Sequence, residues 1–157
     1  MYPLEIKPNV FWAGVIDWTL RDFHGYSTER GSTYNAYIAK GTEKTVLFDT
    51  AKASYTDELL RRVREIVEPE KIDYIVVNHA EMDHTGSLPA MVEAIRPEKI
   101  FMSKPCHEAV EAHFGPRDWP VQIVSTGDEL PLGGKTVTFI EARMLHWPDS
   151  MFSYIKE

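Results

Sequence analysis

A chain of 157 residues, 43% of them hydrophobic, fits one domain and can bury a sizeable core. Its formal net charge of -7 argues against a nucleic-acid surface, and no apolar stretch approaches the length of a membrane span. A single cysteine, Cys106, excludes an internal disulfide, and MYPLEIKPNV lacks the basic start and apolar core of a signal peptide, so the expected location is the cytoplasm.

The pattern predicts a first strand over Val10 to Ile16, then a polar, Gly-bearing loop over Trp18 to Thr33. Tyr34 to Ala39 and Thr45 to Phe48 read as a strand pair turning at Lys40-Gly41-Thr42. Apolar residues at Leu59, Leu60, Val63, Ile66 and Val67 give Asp57 to Val67 a helical period. Ile72 to Val77 is a largely apolar run, interrupted at Asp73, that fits a buried strand. Leu88 to Ile95 reads as a short helix with Ser87 as N-cap, Pro89 in its first turn and Arg96-Pro97 as its end. A strand over Ile100 to Met102 precedes a helix over Pro105 to Phe114, with Gly115 just past its end. Strands follow at Val121 to Val124 and Thr136 to Ala142, the second entered through the turn Leu132-Gly133-Gly134-Lys135. Met151 to Ile155 begins one more strand, read as cut short by the chain end. Alternating strands and helices predict an α/β domain with a layered sheet.

The chemistry concentrates in His79-Ala80-Glu81-Met82-Asp83-His84, where the buried strand ends and a loop begins. Imidazole suits zinc, copper, iron and nickel, and carboxylate suits harder cations, so the mixed set points to a borderline metal. Extended backbone would send His79, Glu81 and Asp83 to one side, whereas a helix would group His79 with Asp83 and turn Glu81 away. The first geometry or a tight loop is expected directly after a strand. Asp83 and the adjacent His84 face different directions, which suits a centre of two metals. A solvated loop is the plain alternative for any one of these residues; four in this order favour a metal. His146, in Met144-Leu145-His146-Trp147-Pro148-Asp149, also follows a strand and is a further candidate ligand. Asp149 reads as a turn residue beside Pro148, with a ligand role as the less favoured alternative.

The H-x-E-x-D-H pattern with a later His resembles the metallo-β-lactamase-like domain of flavodiiron proteins (A-type flavoproteins). Trp12 to Asp17, Gly31-Ser32-Thr33-Tyr34-Asn35-Ala36-Tyr37, Leu47-Phe48-Asp49-Thr50 and Leu145 to Met151 agree with it, and the resemblance covers essentially the whole chain. It implies the N-terminal part of a metallo-β-lactamase-like αββα sandwich. By the same resemblance His79, Glu81 and His146 would hold one iron, and Asp83 the other, with His84 a ligand in some members. A bridging aspartate and a further histidine that complete the di-iron centre in the family would come after this chain, and so would the flavodoxin-like domain that carries FMN. The implied activity is reduction of dioxygen to water, nitric oxide to nitrous oxide, or both, with electrons from FMN.

Head-to-tail pairing of subunits is also implied, with Trp147 a candidate contact with the FMN of a partner subunit and rubredoxin or a flavin reductase as electron donor. His24, in the loop Asp22-Phe23-His24-Gly25-Tyr26, is a candidate substrate-pocket residue; a surface histidine is the alternative. Partners would then be the remainder of the polypeptide or a partner chain, with no nucleic acid and no membrane. Two other functions fit the residues: a zinc-dependent hydrolase of the same superfamily, and a non-catalytic fragment that folds only with a partner.

Overall fold

The computed structural model describes residues 3–156. Its elements in chain order begin with strands β1 (Leu4–Lys7), β2 (Val10–Trp12), β3 (Val15–Asp17), β4 (Asp22–Phe23), β5 (Tyr26–Ser27), β6 (Ser32–Tyr34), β7 (Tyr37–Lys40) and β8 (Thr45–Phe48). Helix α1 (Thr56–Ile66), strand β9 (Tyr74–Val77) and helices α2 (Met82–Thr85) and α3 (Leu88–Ile95) follow. Strand β10 (Lys99–Met102), helix α4 (Lys104–Phe114) and strands β11 (Val121–Ile123), β12 (Glu129–Pro131), β13 (Thr136–Glu141) and β14 (Met151–Ile155) complete it.

Seven strands form the main sheet in the order β1-β2-β7-β8-β9-β10-β11. The β1 to β8 half pairs antiparallel, and β8, β9, β10 and β11 pair parallel. Parallel neighbours need crossovers, which α1, α2 with α3, and α4 supply. Alternation along each strand then sorts side chains to two faces. Ile38, Leu47, Ile75, Val77, Ile100 and Met102 pack in one buried cluster with Leu59 and Val63 of α1, Leu88 and Met91 of α3 and Cys106 of α4. Ala39, Val46, Phe48, Val76 and Phe101 point the other way, onto Leu130, Val137, Phe139 and Met151 of a second, three-stranded sheet ordered β12-β13-β14. The Phe101 and Phe139 rings stack across the two sheets at 5.8 Å between centroids. The layers are therefore helix, sheet and sheet. On the outer face of the second sheet Ile140, Phe152 and Tyr154 stand exposed.

Several predicted elements change. Val10 to Ile16 is two strands in different sheets, because the chain crosses Tyr34 at Gly14, where a Cβ would lie 2.3 Å from the Tyr34 carbonyl oxygen. The Trp18 to Thr33 loop contains the β4–β5 hairpin and the start of β6. Ser87 occupies the N-cap position of α3 without capping it: its hydroxyl bonds the Lys52 carbonyl at 3.0 Å. The side chain that does cap is Ser103 of α4, which accepts from the Cys106 N–H at 3.3 Å. Strands β1 and β12 were not expected; both are short and mostly exposed, so neither has the apolar run that marks a strand. β14 pairs with β13 along its full length, from Met151 to Ile155.

Ile75 is fully buried on a central strand, with neighbours on both sides. Ile75→Ala is expected to lower unfolding free energy by about 2–5 kcal/mol. Denaturant unfolding followed by tryptophan fluorescence checks this, and a change below about 1 kcal/mol would contradict the packing.

Candidate metal centre

Because β8, β9 and β10 run parallel, the segments that leave their C-terminal ends emerge along one edge of the main sheet. After β9 the chain bends at Asn78 and again at Glu81, whose own φ and ψ of -60° and 149° are extended, and then makes the single turn of α2. The outcome is the tight loop expected as an alternative to an extended run. It turns His79 Nε2 toward Glu81 Oε2 at 3.2 Å, and Asp83 belongs to the helical turn.

His79 is buried, and its Nε2 lies 3.2 Å from Glu81 Oε2. His146, on the exposed loop between β13 and β14, brings its Nε2 to 3.7 Å from the same oxygen. The His79 and His146 rings meet edge to face at 5.0 Å between centroids. One donor atom from each of His79, Glu81 and His146 falls within 4.8 Å of the other two, close enough to share one ion. Glu81 Oε1 is 2.6 Å from Nε2 of His24.

Asp83 and His84 lie alongside. The His84 ring is 5.3 Å from that of His79, and its Nε2 is 3.8 Å from Asp83 Oδ2. His84 Nδ1 is 3.3 Å from Asp49 Oδ2, near enough for charge attraction, yet it is buried without an aligned hydrogen bond. Asp83 Oδ1 is likewise buried without a partner. Buried polar atoms left unpaired are costly, and a cation between these groups would satisfy them. The residues present therefore fit a metal of mixed nitrogen and oxygen preference. Burial disfavours a charged His84 ring, but the Asp49 carboxylate, with Asp83 and Glu81, outweighs it and moves the pKa up to about 9. In the metal-free protein His84 thus holds a proton at neutral pH that metal binding at the ring would displace.

On sequence grounds Asp49 has no individual role, and the pairing of Asp149 with His79 is not foreseen. Asp49 follows β8 with φ at 55°, a left-handed conformation uncommon for a non-glycine residue. Its carboxylate accepts from the Asn78 N–H at 2.6 Å and faces His84. Asp149, read as a turn residue, is buried and accepts from the Ala80 N–H at 2.7 Å, with His79 Nδ1 at 2.8 Å. Both contacts join segments far apart in the chain, and no local pattern signals them.

A polar network lies before the β4–β5 hairpin that carries His24. Buried Asp17 accepts from the Tyr34 hydroxyl at 2.8 Å, the Thr19 hydroxyl at 2.8 Å and the Thr19 N–H at 3.0 Å. Lys52 Nζ sits 5.1 Å from the Phe23 ring and 5.0 Å from the Tyr34 ring, tying the hairpin down. Trp147 is half-exposed at the rim, edge-on to His146. A cleft of ≈ 420 Å³ opens beside the centre, lined by Asn35, Asp49, His79, His84 and His146 among others. Cys106 lies fully buried, and burial pushes its thiol pKa well up, as expected of a structural cysteine.

These features define a class: a layered domain of two packed main sheets with a cluster of His and carboxylate side chains at its strand ends that could hold a metal ion. The family follows from comparison. The model of the ODP family beta lactamases matches residues 33–157, and the chain belongs to that family. It is 55% identical over its whole length to a rubredoxin-oxygen oxidoreductase of Megalodesulfovibrio gigas, of which it spans 39%. It is 43% identical over 99% of its length to a nitric oxide reductase of Moorella thermoacetica, again spanning 39% of that relative. The crystal structure of the flavodiiron protein from Giardia intestinalis superposes with a TM-score of 0.93 at 35% identity, over 99% of this chain and 38% of that one. The relatives are flavodiiron proteins, and the match is to their β-lactamase-like N-terminal part. Among the described residues no helix is long and apolar enough to cross a membrane.

Burial by itself would raise the Asp17 pKa, but hydrogen bonds from Tyr34 and Thr19 outweigh it and hold the carboxyl far below its ordinary value of 3.8. A depressed folded-state pKa stabilises the fold above the unfolded value and loses that contribution as pH falls. Asp17→Asn is therefore expected to cost about 1–3 kcal/mol near neutral pH. That gap should close as pH is lowered through and below 3.8. Denaturant unfolding of both proteins across this range decides it; a gap independent of pH would mean that the ionised carboxylate is not what the network holds.

Proposed function

We propose that this chain carries the di-iron centre of a flavodiiron oxidoreductase that reduces dioxygen to water, nitric oxide to nitrous oxide, or both. The observation that carries the reading is Glu81, whose carboxylate lies within reach of His79 and His146 and gives the triad an oxygen donor. An oxygen donor in that place suits iron better than a purely nitrogen and sulfur set would. The names of the relatives, an oxygen oxidoreductase and a nitric oxide reductase, point the same way.

In this reading His79, Glu81 and His146 hold one iron, and Asp83 with His84 holds the other. The pair would supply redox-active Lewis acids that bind and polarise a diatomic substrate. The chain's own residues do the rest. Asp49 and Asp149 aim the His84 and His79 rings. His24, against Glu81 Oε1, forms part of the substrate-facing wall. Trp147, at the rim, offers an aromatic edge to the FMN of a partner subunit in a head-to-tail pair. The chain spans only 39% of its relatives, so residues beyond this segment would supply the bridging aspartate, a further histidine and the FMN domain. The electron donor would be rubredoxin or a flavin reductase, and the location cytoplasmic.

Elemental mass spectrometry of the anaerobically isolated protein, with every polypeptide it is joined to, tests this. About two iron ions per polypeptide are expected, as a two-metal centre requires. Glu81→Ala should lower iron affinity at least ~10-fold, with oxygen or nitric oxide consumption falling alongside. Stoichiometric zinc without iron would replace the reading with a hydrolase of the same fold, in which a metal-bound hydroxide attacks an ester, thioester or lactam.

A further inference from the structure

We infer that Asp149 is a positioning residue that assembles the His79, Glu81 and His146 triad from two separate segments; this rests on the metal reading of that triad. Ligands 67 residues apart cannot be aligned by local structure, so something must fix the His146 loop against the end of β9. The loop has its own shape. Leu145 N–H bonds the Ala142 carbonyl at 3.0 Å, Met144 N–H the Trp147 carbonyl at 3.1 Å, and Ser150 N–H the same Trp147 carbonyl at 3.2 Å. Those bonds set its curvature and not its place on the protein. His146 itself is exposed, and its ring meets only the edges of His79 and Trp147, too little packing to fix the loop.

Asp149 supplies the attachment. One carboxylate oxygen, Oδ2, receives the Ala80 N–H and lies 2.8 Å from His79 Nδ1. Its backbone carbonyl accepts from the Ser103 hydroxyl at 2.9 Å, and Ser103 caps α4. The residue three places after His146 is thus fixed to the end of β9 by its side chain and to the start of α4 by its main chain. The Met151 N–H, which bonds the Asn78 carbonyl at 2.9 Å, continues the same seam into β14.

The side chain does a second thing that main-chain register cannot. A carboxylate facing Nδ1 favours the N–H on that nitrogen. Nε2 is turned toward a second carboxylate oxygen, Glu81 Oε2, at 3.2 Å, so the ring lies between two carboxylates. With a cation between Nε2 and Glu81, Asp149 would keep the proton on Nδ1 and, through the loop, bring His146 to the same point. Loss of such an outer carboxylate typically weakens metal binding ~10–100-fold.

Three variants of the full protein separate these roles from general stability: Asp149→Ala, Asp149→Asn and Ser103→Ala. Fe(II) and Zn(II) affinities would be measured by anaerobic competition with a chromophoric chelator, and unfolding midpoints on metal-free samples. Asp149→Ala should weaken binding of either metal ~10–100-fold. Asp149→Asn should restore most of the affinity, because its amide oxygen can still accept from Ala80 and His79. Ser103→Ala should lower the unfolding midpoint and weaken metal binding by much less than Asp149→Ala, because the Asp149 carboxylate keeps its bonds to Ala80 and His79. Wild-type affinity in Asp149→Ala, or an equal loss in Ser103→Ala, would overturn the assignment and leave Asp149 as an ordinary structural bond. Should Asp149→Ala fail to fold, ¹⁵N NMR of the zinc-loaded wild type decides: Nδ1 of His79 protonated and Nε2 on the metal upholds the inference, and the reverse overturns it. A wild type that binds neither metal would remove the metal reading itself, a result distinct from any difference between variants.

Discussion

Parallel pairing of β8, β9 and β10 is the constraint from which the centre follows. Strands that run the same way must end at the same edge, so the turns after Phe48, Val77 and Met102 open side by side. Asp49, His79 and Ser103 all lie in those turns, though long stretches of chain separate them. The β9 strand can occupy the middle of that arrangement because every residue from Ile75 to Val77 is apolar and buried, serving one core or the other. A charged residue anywhere in that run would disturb the sheet and the centre together.

The second sheet adds what the first lacks. Its inner residues, Phe139 and Met151 among them, cover Phe48, Val76 and Phe101, and so carry the His146 loop over the sheet's functional edge. The join at that edge is made by buried polar groups. A buried carboxylate needs hydrogen-bond partners, and Asp17, Asp49 and Asp149 each have one from another segment. Asp17 thereby ties the chain before the β4–β5 hairpin to β6, Asp49 fixes the His84 side, and Asp149 the His79 and His146 side. The centre itself departs from that rule at Asp83 Oδ1 and His84 Nδ1, which are buried and unpaired. Local rules are most often broken where function requires it.

Much of this was readable along the chain. The helices over residues 56–66, 88–95 and 104–114 follow the 3.6-residue apolar period closely, and β9 and β10 follow apolar runs. Misreadings cluster where a residue answers to a distant partner. Gly14 looked like part of a strand, and it is the point where the chain passes under Tyr34. Ser87 looked like a cap, and its hydroxyl is taken by Lys52 and Thr56. The β4–β5 hairpin was hidden because each of its strands is only two residues long. The metal-competent residues stood out by type and order, and a tight loop from His79 to Glu81 was one of the geometries foreseen.

By itself, then, the sequence determined the apolar periods that make the helices and buried strands, and the H-x-E-x-D-H set that names the chemistry, because both are properties of residues within a few positions of each other. Only the tertiary structure decided that His146 meets His79 and Glu81, that His24 reaches Glu81, and that Asp149, in the turn expected beside Pro148, is also a buried partner of His79. Those contacts span from 57 to 70 residues of chain. Their closeness depends on parallel strand order and on the need of buried carboxylates for partners, and neither can be read from the neighbours of any one residue.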